Sequence, residues 1–459
     1  MTSAGGGISA ISSWMDGLAC VPAEPLGTDQ QADVVIVGGG LTGLSSALAL
    51  MAEGLSVAVV EAEISGYGAS GRNAGHLTPT IGKDLPTLAR LYGRERVASL
   101  ITFTEAAISE AERLIEAHAI DCDYEPVGNI LAAVDKCQYG AIDRAAEVAG
   151  RFGLPGKLLD EAAMAERGLP PSFTRGYLEP HGGILDPAKY VQGLRLAVEK
   201  AGAMVFDHSP VTDIAENDIG VVVRTQEGAV RAKHCLVATN AYTPRLGLLS
   251  SKALPLNVQL FRTEPLSPEQ LGRLPWNGRE GVYTVHEALE SWRLTADDCI
   301  VGGSKTVRYG FGGKRIADVD RRVALAFEKL FYERFPQLTD VSIKRHWGGI
   351  IFLALDFLPS VGRIREGGRI LYSMAYAGHG LAHASYAGRM VADLLAGRDG
   401  VGRTLWSRKT LGLPPEPLRW LVFNAINWGL GWPDRRADRR AGRRARNLRY
   451  ETKEATPWP

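Results

Sequence analysis

Short apolar runs alternate along this chain with segments whose apolar residues recur every three or four positions, and that alternation predicts an α/β fold. The first run, Asp33-Val34-Val35-Ile36-Val37, reads as a buried parallel strand. Leu44, Ala47, Leu48 and Met51 then recur at helical spacing, Gly54 ends that helix, and a second apolar run covers Val57 to Val60. Val97, Leu100, Ile101, Thr104, Ile108, Ala111 and Ile115 predict a long amphipathic helix. A strand over 124–134 and a helix over 141–152 follow. His181-Gly182-Gly183-Ile184-Leu185-Asp186-Pro187 leads into a helix with Val191, Leu194 and Val198 on one face, ended by Gly202. Beyond it come a strand near 204–206, a hairpin with Glu227-Gly228 at its tip, and the run Cys235-Leu236-Val237-Ala238-Thr239-Asn240. Residues 255–350 alternate strands with Pro-rich turns and hold a helix over 321–335, and a last helix runs through Ala387, Val391, Leu394 and Leu395. Residues 1–32, rich in Gly, Ser and Pro, read as an extended lead-in.

Candidate chemistry sits between the first strand and the first helix. Gly38-Gly39-Gly40-Leu41-Thr42-Gly43 spells G-x-G-x-x-G, and Glu61 stands 18 residues past Gly43 at the end of the second strand. Gly38 permits the tight turn, Gly40 lets backbone approach a pyrophosphate, and Gly43 lets helix pack on strand. Free N–H groups at the helix start, at Leu41 and Thr42, favour phosphate, and Glu61 is placed to accept hydrogen bonds from a ribose. Strand, turn, helix, strand and acid fall in the order that a site for an ADP-containing dinucleotide requires. Tyr67-Gly68-Ala69-Ser70-Gly71-Arg72-Asn73-Ala74-Gly75-His76 comes next, too small, polar and glycine-rich for an ordinary crossover helix. Such a run suits close wrapping around a second anionic or ring-bearing part of a cofactor.

With this run the sequence resembles the FAD-dependent D-amino-acid oxidase superfamily, in its gamma-glutamylputrescine-oxidase-like and glycine–sarcosine-oxidase-like branches, over residues 33 to about 397. Three later motifs carry the resemblance further: Ser291-Trp292-Arg293-Leu294-Thr295 with Ile300-Val301-Gly302-Gly303; His346-Trp347-Gly348-Gly349 with Asp356-Phe357-Leu358-Pro359-Ser360-Val361-Gly362; and Tyr376-Ala377-Gly378-His379-Gly380-Leu381. The resemblance implies a Rossmann-like FAD-binding domain of the glutathione-reductase type, from residues 30–84, 185–254 and 360–400, and an α+β substrate domain on an antiparallel sheet, from 85–184 and 255–359. Residues 401–459 form a C-terminal extension. It also implies that Ala69, Ser70, Arg72, Asn73, Ala74 and Gly75 contact FAD, that Val211 gives adenine contacts, and that Gly378, His379, Gly380 and Leu381 face the flavin pyrimidine edge. The expected reaction is oxidation of a C–N bond, with hydride passing to flavin N5, an imine that hydrolyses, and reoxidation by O2 with H2O2 as product. His76 and His379 are the candidate catalytic side chains; Arg262, Tyr283, Arg293, Trp347 and Phe352 are candidates for binding substrate. Two departures matter. No Arg follows Trp347-Gly348-Gly349, where glycine-oxidase types clamp a carboxylate, so an amine is favoured over an α-amino acid. No cysteine lies near 350–355, so FAD is expected to be non-covalent, with a link through His76 as the other option.

Composition changes little. The 459 residues suit two or three domains, and 53 glycines exceed the usual share, as close backbone approach to a cofactor requires. Five cysteines with no C-x-x-C pair indicate neither a disulfide framework nor a metal site. A signal peptide, a spanning helix and a nucleic-acid partner are not expected, and the default location is cytoplasmic. Charge is uneven, however: residues 434–449 carry eight Arg against two Asp, beside the apolar aromatic stretch 418–432. The expectation is a helix packed on the body with a solvated basic tail; peripheral contact with an anionic membrane is the alternative. That alternative would suit a membrane-associated dehydrogenase feeding a quinone, and a flavin-dependent hydroxylase is a second one.

Overall fold

The computed structural model describes residues 7–8, 11–18, 21–313, 319, 321–405 and 412–454. Cys20 lies outside them. Two large sheets divide the strands. The first has a parallel core of Met204–Phe206, Val57–Val60, Gln30–Val37, Ala229–Val237 and Ile370–Met374, in that spatial order. Its register sets Val37 beside Val60 on one side and Val237 on the other, so strand ends align along one edge. The helices Leu41–Ala52, Pro187–Lys200 and Gly380–Ala396 cover one face, and Leu44, Leu50, Tyr190, Val191, Leu381 and Met390 share a single core with Val34 and Ile36. Burial on both faces accounts for the nearly unbroken apolar runs in those strands.

The second sheet has ten strands, built on the expected antiparallel run with parallel joins added. Ile343–Leu353, Leu254–Thr263, Ile300–Gly303, Ser291–Leu294 and Gly281–Thr284 run antiparallel in succession, but Gly281–Thr284 then pairs parallel with Asn129–Ala133. The expected strand over 124–134 is only Asn129–Ala133. Gly128 takes a left-handed φ of +73°, and Glu125 turns aside to pair with Ile184. We assign the boundaries between the two parts as the sequence drew them. The helix Leu85–Ala117 bridges them: its Leu100, Phe103 and Ile108 enter the core under the first sheet.

Both ends of the chain depart from expectation. Residues 11–18 are not a loose lead-in: the Ser12 hydroxyl donates to Gly71 O (2.5 Å) and the Trp14 indole to Asn73 O (2.9 Å), bracing the Ser70 loop. At the other end, Leu418–Glu454 is one helix of 37 residues, so the basic run is not a dangling tail. Ala437, Ala441 and Ala445, at helical spacing, are buried, and the first two pack in the core that holds Leu330 and Phe331 of the helix Arg321–Arg334. Small residues every fourth position let the basic half seat closely while its arginines face outward.

Candidate active site

The turn from Val37 into the first helix is built around two close approaches. A Cβ on Gly43 would lie 2.0 Å from the carbonyl oxygen of Gly38, and one on Gly38, where φ is +112°, would lie 2.9 Å from Ala238 O. Only glycine lets the helix start this near the strand end. Gly40 caps the helix without a side-chain bond, and the Leu41 N–H donates to Ser70 Oγ (2.9 Å), which draws the Ser70 loop against the turn. Glu61 accepts from the N–H groups of Gly39 (2.7 Å) and Glu63 (3.0 Å), and burial raises its pKa above the usual carboxylate value.

A second turn faces the first across the sheet edge. Ala375, Ala377 and Gly378 all take positive φ, an uncommon backbone for alanine, and the Asn240 side chain accepts from Ala375 N (3.0 Å) to hold it. The helix Gly380–Ala396 starts directly after. Tyr376 ties the turns together, its hydroxyl bonded to Thr42 Oγ1 and Ser373 Oγ, both at 2.8 Å.

Between these turns runs a cavity of about 480 Å³. Gly38, Gly40, Leu41, Thr42, Glu61, Ala69, Ser70, Asn73, Val211, Gly378, Gly380 and Leu381 line it, so most of the residues expected to hold cofactor meet in one place. The lining fits FAD: a glycine cradle that a Cβ would fill, helix starts at both turns to face anionic groups, and an acidic acceptor at the strand end. Five expected contacts fall elsewhere, His379 among them, which lines the neighbouring cavity. Gly43 serves packing alone. Arg72 donates through Nε to Tyr67 O (2.7 Å) and through Nη1 to Gly348 O (2.9 Å), holding the loop in shape. Gly75, at φ +77°, admits the Arg293 guanidinium, which a Cβ there would meet at 2.1 Å. Ala74 lines a neighbouring cavity.

That neighbouring cavity, about 440 Å³, shares Asn73, Ile351, Ala377 and Gly378 with the first and is bounded by His76, Thr80, Lys83, Tyr283 and His379. His76 Nδ1 lies 3.0 Å from Asn129 Oδ1, while Asn129 Nδ2 donates to Leu77 O. Nδ1 therefore carries the proton, and Nε2 keeps a lone pair with no partner among the described residues. His379 Nδ1 bonds Thr80 Oγ1 (2.8 Å). Burial lowers both imidazoles to about 4, so both are neutral at physiological pH. Tyr283 donates to Glu179, whose carboxyl burial raises to about 7. Past Thr80, Lys83, Tyr283 and His379 the space continues into a further cavity of about 570 Å³.

Four candidates for binding substrate are not in this cavity wall. Arg262 pairs with Asp297 and stacks over Trp14, and Arg293 donates to Gly75 O (3.0 Å) and Leu185 O, fixing the loop under His76. Trp347 is fully buried, its indole donating to Arg72 O (2.9 Å). Phe352 lines the cofactor cavity instead. Strand alternation sends Phe352 away from the cavity and its neighbour Ile351 toward it; Arg262, Arg293 and Trp347 share a strand face with the cavity-lining Leu260, Ser291 and Ile351 but lie farther along, where Trp14 and the loop at 72–75 cover them. The residues sequence reasoning missed are Thr80, Lys83, Asn240, Tyr376 and, above all, Arg419, Phe423 and Ile426 of the C-terminal helix, which close the far side. Tyr376 opens the motif at 376–381, though the motif gives it no role; no local motif marks Thr80, Lys83, Arg419, Phe423 or Ile426.

Comparison with known proteins agrees with this geometry. The gamma-glutamylputrescine oxidoreductase of Escherichia coli (strain K12) is 35% identical over 387 residues, which span 82% of this chain and 86% of that protein. Among solved structures, glycine oxidase from Geobacillus kaustophilus superposes with a TM-score of 0.68 at 21% identity, covering 81% of this chain and 96% of that one. L-proline dehydrogenase from P. horikoshii gives 0.68 at 20% identity, covering 83% and 96%. At those identities the two structures speak for the fold. A family model described as FAD dependent oxidoreductase matches residues 33–394, which take in the first sheet from Asp33 onward and both turns of the cofactor cavity. With that span matched and the cradle fitted to the cofactor, the chain belongs to the DAO family of FAD-dependent oxidoreductases.

Proposed function

We propose that the enzyme oxidises the C–N bond of an amine in preference to that of a small α-amino acid, bound in the cavity beside Ala377 and Gly378. The observation that carries this reading is the state of the cations in that wall. Arg72 is committed to two backbone carbonyls and Lys83 to Glu287, so neither stands ready to clamp a carboxylate next to the reacting carbon. Arg419, the remaining cation of the wall, comes from the C-terminal helix and donates through Nε to Pro414 O (2.9 Å); it is available to an acid at the distant end of a longer substrate. The relationship to a gamma-glutamylputrescine oxidoreductase supports an amine of that general shape.

When bound, FAD supplies the two-electron acceptor for hydride from the carbon next to nitrogen. The chain's own groups orient the amine. His76 Nε2 accepts an N–H, and its low basicity keeps it from taking a proton outright, so the site selects the unprotonated amine from solution. His379, neutral and fixed by Thr80, forms the facing wall. Non-covalent FAD and reoxidation by O2, releasing H2O2, complete the reading; transfer to a quinone is the alternative.

Anaerobic mixing of holoenzyme with a panel of amines, glycine and D-alanine tests it, with flavin bleaching as readout. N-substituted or long-chain amines should bleach the flavin fastest, and kcat/KM should climb with pH toward the amine pKa near 10 with no step near 6.5 from His76 or His379. Faster reduction by glycine or D-alanine overturns the amine preference. Peroxide measured under air then decides between O2 and quinone.

A further inference from the structure

Sixteen large apolar side chains are exposed among the described residues, and seven of them fall between 418 and 432. At about 100° per residue three of the seven sort with the arginines that follow. Leu421, Trp428 and Trp432 stand in line with Arg435, Arg439 and Arg443, on the side opposite Ala437, Ala441 and Ala445. Trp428 is 73% and Trp432 62% exposed. Trp432 and five arginines enclose one groove of about 320 Å³. Arg436, Arg439 and Arg443 have no ion-pair partner among the described residues, whereas Arg440 and Arg444, nearer the body, pair with Asp135 and Glu161.

The inner face is locked. Asp434 accepts from the backbone N–H groups of Glu287 and Ala288, both at 3.1 Å, and Asp438 meets the buried Arg334 (2.8 Å) and Lys305 (3.2 Å). Arg334 also grips the fully buried Glu290 with two bonds, at 2.8 and 2.7 Å. Held this way, the helix cannot roll to bury its tryptophans. A stripe that is aromatic and aliphatic for its first half and cationic for its second matches the interface of an anionic bilayer, where indole rings sit at headgroup level and arginines meet lipid phosphate.

We propose that the outer face of Leu418–Glu454 docks on an anionic lipid surface. Val422 and Ile426 of the same helix line the substrate cavity, so docking brings that cavity beside the membrane. Attraction comes from the arginines and is salt-sensitive; the tryptophans and Leu421 add apolar burial that salt does not remove.

The test is co-sedimentation of the full-length holoenzyme with phosphatidylcholine vesicles, with and without phosphatidylglycerol. Binding to the anionic vesicles alone, weakening as salt is raised, is expected. Replacing Arg436, Arg439 and Arg443 by Ala should weaken it on the order of a hundredfold; Trp428→Ser with Trp432→Ser should leave residual binding that salt abolishes. Flavin content and turnover of soluble amine should stay at the parent level in both variants, which separates lost docking from lost folding. No sedimentation at low salt overturns the proposal, as does equal binding to neutral vesicles or binding that survives the arginine replacements. Concentration-dependent dimerisation, or RNA binding, that the same replacements abolish while vesicles stay unbound would assign the face to another occupant and overturn it as well.

Discussion

The cofactor cavity and the substrate cavity share four residues, yet they are built by opposite means. The cofactor side is founded on backbone and glycine of one stretch, Val37 to Asn73, completed by residues 210–211, 238–246 and 350–352 and by a second turn at 375–380. Its chemistry is that of peptide N–H groups, helix starts and one carboxylate. The substrate side is made of side chains from sequence-remote elements: His76, Thr80, Tyr283, His379 and the helix beginning at Leu418. Backbone recognition needs a fixed conformation and hence particular glycines; side-chain recognition needs only that a suitable group arrive in space. The first leaves a motif in the chain and the second leaves none.

Four substitutions press on that difference. Gly43→Ala should have the largest effect, because a methyl 2.0 Å from a backbone oxygen cannot be relieved by a rotamer change. Yellow holoenzyme should not be recovered; a variant that retains FAD would mean the turn is softer than its geometry says. Next comes Arg334→Met, in the ionic cluster that fastens the C-terminal helix over the substrate side. It takes the two-bond partner from the buried Glu290, which keeps Lys305 (3.0 Å), and should lower stability by about 3 kcal/mol, read as a shift in urea midpoint. An unchanged midpoint would show the substrate side to be independent of that anchor.

Glu61→Ala acts on one cofactor contact. A hydrogen bond to a charged acceptor is worth about 1.5–3 kcal/mol, so FAD affinity measured by titration of apoenzyme should fall at least tenfold. Unchanged affinity would count against Glu61 as the ribose acceptor. The smallest effect belongs to Arg262→Gln. Its partner Asp297 is largely exposed, and pairs of that kind are worth roughly 0–1 kcal/mol. KM for an acid-bearing amine should barely change. A large rise would return Arg262 to the substrate site and blur the distinction between the two cavities.

Much of this contrast was legible beforehand, and unevenly so. The strand–turn–helix–strand order, Glu61 and the Ser70 loop could be read because each residue's role follows from its immediate neighbours. Arg72, Gly75 and Gly43 were rightly placed in the loop or turn, but they shape it without lining the cofactor cavity. Arg262, Arg293 and Trp347 looked like substrate ligands because polar and aromatic groups on substrate-domain strands are credible ones. They do share a strand face with Leu260, Ser291 and Ile351 of the substrate cavity, but Trp14 and the loop at 72–75, remote from them in the chain, cover their end of the sheet.

By itself, the sequence determined the α/β class, the dinucleotide cradle, the family resemblance and the clustering of arginine at the C-terminus, since all four rest on local spacing or on composition. Tertiary structure alone decided the rest. It brought the turn at 375–380 against the one at 38–43, made His76 and His379 neutral by burying them, and turned the basic run into a helix seated on three alanines with its tryptophans outward. The physical reason is the same in each case: burial, and the pKa shifts and packing that follow from it, belong to what surrounds a residue in space, and the chain order says little about who those neighbours will be.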